Sequence, residues 1–215
     1  MRFAKKKKTI YSLLIALFLV IIVFYAWPGG VNAPGNTSAG RTGGTASPAS
    51  FNKHQYPVDE ASSLWVIVNK GRQLPSSYAP ADLVVPNVPL RLGPASQEMH
   101  LRSEAATALE QMTAAAKFDS IGLMLSSGYR SYNEQISLYG SYVKSSGAAA
   151  ADTYSARPGY SEHQTGLAAD LEPTTGKCDV DQCFAATPEG QWLAANAYKF
   201  GFIIRYPKGD DSLTG

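Results

Sequence analysis

The sequence predicts an α+β domain, and three observations carry that prediction. Apolar runs of strand character at residues 64–68 (LWVIV), 121–125 (IGLML) and 202–206 (FIIRY) are interleaved with segments of helical period. Their order does not follow strict βαβ alternation, and no glycine-rich phosphate loop opens a helix, which disfavours a doubly wound parallel sheet. The first run ends at Asn69-Lys70-Gly71. Residues 74–95 then carry Pro75, Pro80, Pro86, Pro89 and Pro94, which forbid a regular helix and predict an extended arm laid over the body.

From residue 97 to 117 the pattern predicts a helix. Leu101, Ala105, Ala108, Met112 and Ala116 recur at three- and four-residue steps and leave Arg102, Glu104 and Glu110 on the wet side. The strand at 121–125 stops at Ser126-Ser127-Gly128. A second helix opens on Ser131-Tyr132-Asn133-Glu134, a capping box in which Ser and Glu side chains each satisfy a free backbone donor of the first turn. A third is announced by Thr187-Pro188-Glu189 and ends at Gly201, before the strand at 202–206.

Not all of the 215 residues belong to this body. Residues 9–27 (TIYSLLIALFLVIIVFYAW) are 19 uncharged residues and predict a transmembrane anchor, longer than the apolar core of a cleaved signal peptide. Residues 1–8 contain Arg2 and Lys5 to Lys8, a basic tail that predicts a cytoplasmic N-terminus, a single pass through the cell membrane and an extracytoplasmic body. Residues 28–50, rich in Gly, Ser, Thr, Asn, Ala and Pro, predict a disordered stalk, which leaves residues 51–215 as one domain. The net charge of +2 belongs to the tail: beyond it, 14 basic side chains face 17 acidic ones, so the body has no nucleic-acid footprint. The two cysteines, Cys178 and Cys183, predict a short-loop disulfide in an oxidising compartment.

Two segments concentrate chemistry. In residues 126–135 (SSGYRSYNEQ) a strand end turns through Gly128 into a capped helix, and free N–H groups, the Arg130 guanidinium and the Gln135 amide suit a carboxylate. In residues 156–171 (ARPGYSEHQTGLAADL) His163 and Asp170 could supply imidazole nitrogen and carboxylate oxygen to a zinc shell. Seven residues apart on an unbroken strand they would face opposite ways, so they converge only if Gly166 or its neighbours turn the chain. His54 and His100 read as ordinary surface histidines. Glu162 and Glu172, flanking the pair, are expected to point away from it.

Together, SGYRSYNEQ and PGYSEHQTGLAADL resemble the VanY-type D-alanyl-D-alanine carboxypeptidases, zinc peptidases that trim cell-wall peptides. The S-x-H-x-x-G-x-A-x-D pattern is met by Ser161, His163, Gly166, Ala168 and Asp170, and the likeness runs from about residue 64 to 207, through LPSSYAPADLVVPNV and NAYKFGFIIRYP. The resemblance implies a small antiparallel sheet flanked by helices, of the D-Ala-D-Ala peptidase and hedgehog type. It implies Zn2+ on His163 and Asp170, a substrate carboxylate or oxyanion at Arg130, hydrogen bonds from Gln135 and Ser161, and a peptidoglycan stem peptide as substrate. A third zinc ligand and a general-base glutamate are expected from an E-x-W-H segment soon after residues 202–206. Residues 207–215 (PKGDDSLTG) hold no such segment, so a C-terminally truncated domain is expected, and no residue of the sequence is assigned as the base. Two alternatives share the scaffold: a non-catalytic wall-peptide-binding module, and an L,D-carboxypeptidase or endopeptidase.

Overall fold

The computed structural model describes residues 21–24, 55–178 and 182–206. The basic tail 1–8, the stalk 28–50, His54 and most of the apolar run 9–27 lie outside them. The described chain is an α+β arrangement of short antiparallel sheets and helices. Its main sheet contains β1 (Ile21–Phe24), β4 (Leu123–Ser127), β5 (Ala168–Pro173) and β6 (Phe202–Ile204) in the order β4-β5-β1-β6, antiparallel throughout. A two-stranded ribbon joins β2 (Leu83–Val84) to β3 (Leu101–Arg102). Helices α1 (Ser103–Phe118), α2 (Tyr132–Ser146), α3 (Ala148–Ala151) and α4 (Pro188–Asn196) surround the sheets.

The anchor expectation meets a different structure. Ile21–Phe24 is a strand between β5 and β6, with Ile21 opposite Asp170 and Phe24 opposite Phe202. Among the described residues no helix is long and apolar enough to cross a membrane. A uniformly apolar run has no period to distinguish helix from buried strand, and the β-branched Ile-Ile-Val sequence suits a sheet interior.

Residues 64–68 form no strand. Val66 and Val68 are buried at alternate positions, as the run suggested, but the segment finds no ladder partner among the described residues: Ile67 N donates to Val58 O at 3.0 Å, and the bridge that follows joins Asn69 to Arg72. The proline-rich arm is extended as expected. Its Leu83–Val84 pairs with β3, and Arg91 N and Leu125 N donate to Leu125 O and Pro89 O at 2.9 Å each.

The helix predicted from residue 97 starts at Ser103. Residues 97–99 make a single 3-10 turn and Leu101–Arg102 is strand, because Arg102 N donates to Gly166 O and Ser103 N to Asp82 O, fixing extended backbone where the period alone read helix. Within α1 the predicted face is buried: Ala105, Ala108, Met112 and Ala116, joined by Ala106 and Leu109, pack with Leu123, Leu125, Leu171, Phe184 and Phe202 in one core. The capping box of α2 is formed, with Glu134 N donating to Ser131 Oγ at 3.2 Å and Ser131 N to Glu134 Oε2 at 3.3 Å. Thr187 caps α4 with Pro188 at its first position; the helix gives way to a 3-10 turn at Ala197–Phe200 and stops at Gly201. Cys178 and Cys183 are disulfide-bonded, with Cα atoms 5.6 Å apart.

Candidate active site

The site is built where the end of β4 meets the turn before β5. In that turn, Glu162–Thr165 makes a 3-10 segment and Gly166 leaves it with φ 68°, the left-handed conformation glycine adopts without a steric penalty. This bend cancels the alternation that would separate His163 from Asp170. His163 Nε2 lies 3.3 Å from Asp170 Oδ2, and both residues are buried.

Two bonds lock the histidine turn to the arginine turn. His163 Nδ1 is 2.6 Å from Gly128 O, and Arg130 N donates to His163 O at 3.2 Å. A carbonyl can only accept, so Nδ1 carries a proton and Nε2 is the ring nitrogen turned to the Asp170 carboxylate. Nε2 and Asp170 Oδ1 have no hydrogen-bond partner among the described residues. Two buried acceptors face each other at a separation that repels unless a proton or cation lies between them. The pair therefore fits as two ligands of a zinc ion, with Gly128 O as the outer partner that orients the imidazole. Among the described residues no group of three or more His, Cys, Asp or Glu side chains gathers to complete a shell.

Arg130 is 9% exposed and held at three nitrogens: Nε donates to Glu98 Oε1 at 3.1 Å, Nη1 to Gln135 Oε1 at 3.4 Å and Nη2 to Ser127 Oγ at 2.8 Å. A β-bulge in β4 between Leu125 and Ser127 cancels the usual alternation and brings both consecutive serines to the face of β5 that carries Asp170 and Glu172. Ser127, opposite Asp170 in the ladder, takes Arg130, while Ser126 Oγ donates to Glu172 Oε2 at 3.1 Å. Gln135 is the buried residue of α2, and its Nε2 already donates to Ala156 O at 2.6 Å and Ser155 Oγ at 3.4 Å. Its amide holds Arg130 in place where an outward-facing donor was expected. Ser161 is buried at the start of the histidine turn.

Of the two flanking glutamates, Glu172 departs from expectation. Glu172, two residues beyond Asp170 on one strand, shares its face instead of pointing away; it is 2% exposed and meets Ser126 and, at 3.8 Å, Arg91. Glu162 Oε1 accepts from Arg205 Nε at 3.1 Å and Tyr206 Oη at 3.0 Å, tying the end of β6 to the histidine turn. Burial, and after it the Glu162 charge, push the Tyr206 hydroxyl well above its usual range, so it stays a donor. His100 is occupied elsewhere, Nδ1 lying 3.0 Å from Ser96 O. A cavity of about 240 Å³ shares Glu162 and Thr165 with this turn, but neither His163, Asp170 nor Arg130 lines it.

A buried His–Asp pair, bonded through the backbone to an arginine fixed in orientation, is the arrangement against which known proteins can be compared. The family model for VanY, D-alanyl-D-alanine carboxypeptidase, matches residues 98–215, and the chain belongs to that family of hydrolytic peptidases. The putative carboxypeptidase YodJ of Bacillus subtilis is 40% identical over 157 residues, 73% of this chain and 58% of that protein. A D-alanyl-D-alanine carboxypeptidase of Enterococcus faecium is 31% identical over 164 residues, 75% of this chain and 45% of that protein. The chain thus spans about half the length of these curated relatives. Among solved structures, the LdcB LD-carboxypeptidase aligns with TM-score 0.69 at 41% identity, covering 72% of each chain. A vancomycin-resistance D,D-pentapeptidase VanY in complex with Zn(II) aligns with TM-score 0.56 at 28% identity, covering 73% of this chain and 83% of that one.

Proposed function

We propose that the chain carries the substrate corner and two metal ligands of a zinc-dependent carboxypeptidase acting on peptidoglycan stem peptides. The observation that carries this reading is the orphaned pair His163 Nε2 and Asp170 Oδ1 beside the pinned Arg130. His163 and Asp170 would hold the ion; the chemistry zinc supplies when bound is polarisation of a carbonyl and activation of a water. Arg130 binds the terminal carboxylate of the peptide through charge-assisted hydrogen bonds, and Gln135 and Ser127 keep its plane fixed while it does so. Ser161 lines the same turn and hydrogen-bonds the peptide. The third ligand and the general base belong to no residue assigned in this sequence; Glu162 and Glu172 are each engaged by other side chains.

Release of D-alanine from a stem pentapeptide, abolished by a chelator, tests the proposal. Saturable peptide binding that survives the chelator, without release, would favour the non-catalytic binding module. A second hydrolytic reading, L,D-carboxypeptidase, is favoured by the 41% identity to LdcB. Release of D-alanine from a tetrapeptide in preference to the pentapeptide would select it.

The basic tail and apolar run support an extracytoplasmic site of action, with the N-terminus inside. A bilayer helix and a sheet strand are exclusive uses of Ile21–Phe24. Alkaline carbonate extraction of membranes decides between them: retention in the pellet marks an anchor, and release marks the strand.

A further inference from the structure

Residues 97–100 clasp the arginine turn, although no motif in the sequence singled them out. Four consecutive residues of that turn donate to them: Gly128 N to Glu98 O at 2.6 Å, Tyr129 N to His100 O at 2.7 Å, Arg130 Nε to Glu98 Oε1 at 3.1 Å, and Ser131 N to Gln97 Oε1 at 3.1 Å. Two of these use only backbone and would survive many side-chain changes. The bond from Arg130 to Glu98 depends on a charged side chain, and it reaches the residue on which carboxylate binding rests.

A guanidinium offers five N–H groups in one plane. Among the described residues three are used, one on each nitrogen, by Glu98, Gln135 and Ser127. The plane is therefore pinned at three points, and Nη1 and Nη2 each keep a second N–H, the number of donors that a carboxylate's two oxygens accept together. Of the three partners only Glu98 is charged. With side-chain exposures of 11% for Arg130 and 32% for Glu98, the pair is partly open to water, where ion pairs add little to stability. Its consequence lies in orientation.

We propose that Glu98 is a positioning residue for the substrate: its carboxylate holds the Nε edge of Arg130 so that the remaining Nη donors meet the terminal carboxylate of the peptide as a pair. The proposal rests on the reading of Arg130 as the carboxylate anchor. A peptide lacking the terminal carboxylate should not register Glu98, whereas a general loss of structure would affect every ligand.

The test is calorimetric titration of the full chain with a stem pentapeptide ending in free D-alanine and with the same peptide amidated at its C-terminus. The unsubstituted chain is expected to prefer the free acid at least tenfold, and Arg130→Ala to erase that preference; absence of either result overturns the Arg130 reading and the proposal together. With both results in hand, Glu98→Ala should weaken the free acid about tenfold and leave the amide within twofold, as expected for a lost charge-assisted contact. Glu98→Gln, which still offers an oxygen to Nε, should recover most of that loss on a logarithmic scale. Unchanged free-acid affinity in Glu98→Ala, equal weakening for both peptides, or a Glu98→Gln variant as weak as the alanine would overturn the role of Glu98 and leave Arg130 standing.

Discussion

Gly128→Ala should disable the site without touching either proposed ligand. A Cβ at this position would lie 2.4 Å from His100 O and 3.1 Å from both Glu98 O and a Leu101 methyl. The nearest of these atoms is backbone, so the turn itself must move. Movement strains the bonds from Gly128 N to Glu98 O and Tyr129 N to His100 O, and displaces the carbonyl that orients His163. Overpacking of this kind costs about 1–3 kcal/mol, and weakening the hydrogen bonds adds about 1 kcal/mol, for a total near 3 kcal/mol. At about 2–4 °C per kcal/mol for a chain of this size, Tm should fall by roughly 6–12 °C. With the imidazole no longer anchored, zinc affinity should fall about 10–100-fold. Gly140→Ala is the control: on α2, its added methyl would meet none of the described residues within 4 Å, and the change should raise stability by about 0.5–1 kcal/mol. Thermal melts and zinc titrations of both variants supply the numbers. A Gly128→Ala protein that melts and binds zinc like the unsubstituted chain would refute the coupling between the arginine and histidine turns.

Three further outcomes follow from the same contacts. Ser131→Ala removes one half of the capping box and should cost about 1 kcal/mol in a denaturant melt while leaving zinc affinity unchanged. Leu109→Ala, at a position with no exposed surface on α1, should cost about 2–5 kcal/mol by the same melt, again without a specific effect on the metal. Burial acts to raise the Asp82 carboxyl, but Arg102, donating from Nε to both oxygens at 3.0 and 3.1 Å, outweighs it and holds the group below the usual range. A carboxyl lowered in the folded state contributes stability above its unfolded value, about pH 4, and loses it as pH falls further. Asp82→Asn should therefore flatten the acid side of the stability profile below about pH 4, and an unchanged slope would contradict the pairing.

The parts of the fold that could be read from the chain are those whose causes are local. The box Ser131–Glu134 and the Thr187-Pro188 start are set by a side chain and a backbone within one turn, and both appear where expected. Gly166 was readable for a related reason, since a seven-residue step between His163 and Asp170 demands a bend and glycine is the residue there that bends without penalty. Segments whose fate depends on distant partners were misread. Leu101 and Arg102 have helical period but are held extended by Gly166, far ahead in the chain, and by Asp82 of the proline-rich arm behind them. Residues 64–68 have strand composition and, among the described residues, no strand to pair with. The run that holds Ile21–Phe24 is a separate case, too uniformly apolar for periodicity to choose between a membrane helix and a sheet interior, and membrane extraction decides between them. In the site, residue types gave His163, Asp170 and Arg130, whereas Glu98, Gln97 and Ser127 act only through the three-dimensional meeting of segments 97–100 and 126–131.

The most direct test of the account is a zinc titration of the full chain beside His163→Ala and Asp170→Ala. The account predicts one zinc equivalent for the unsubstituted chain and at least a tenfold loss of affinity in each variant, because the two acceptors at 3.3 Å share the ion. Zinc binding that persists unchanged in either variant would contradict it.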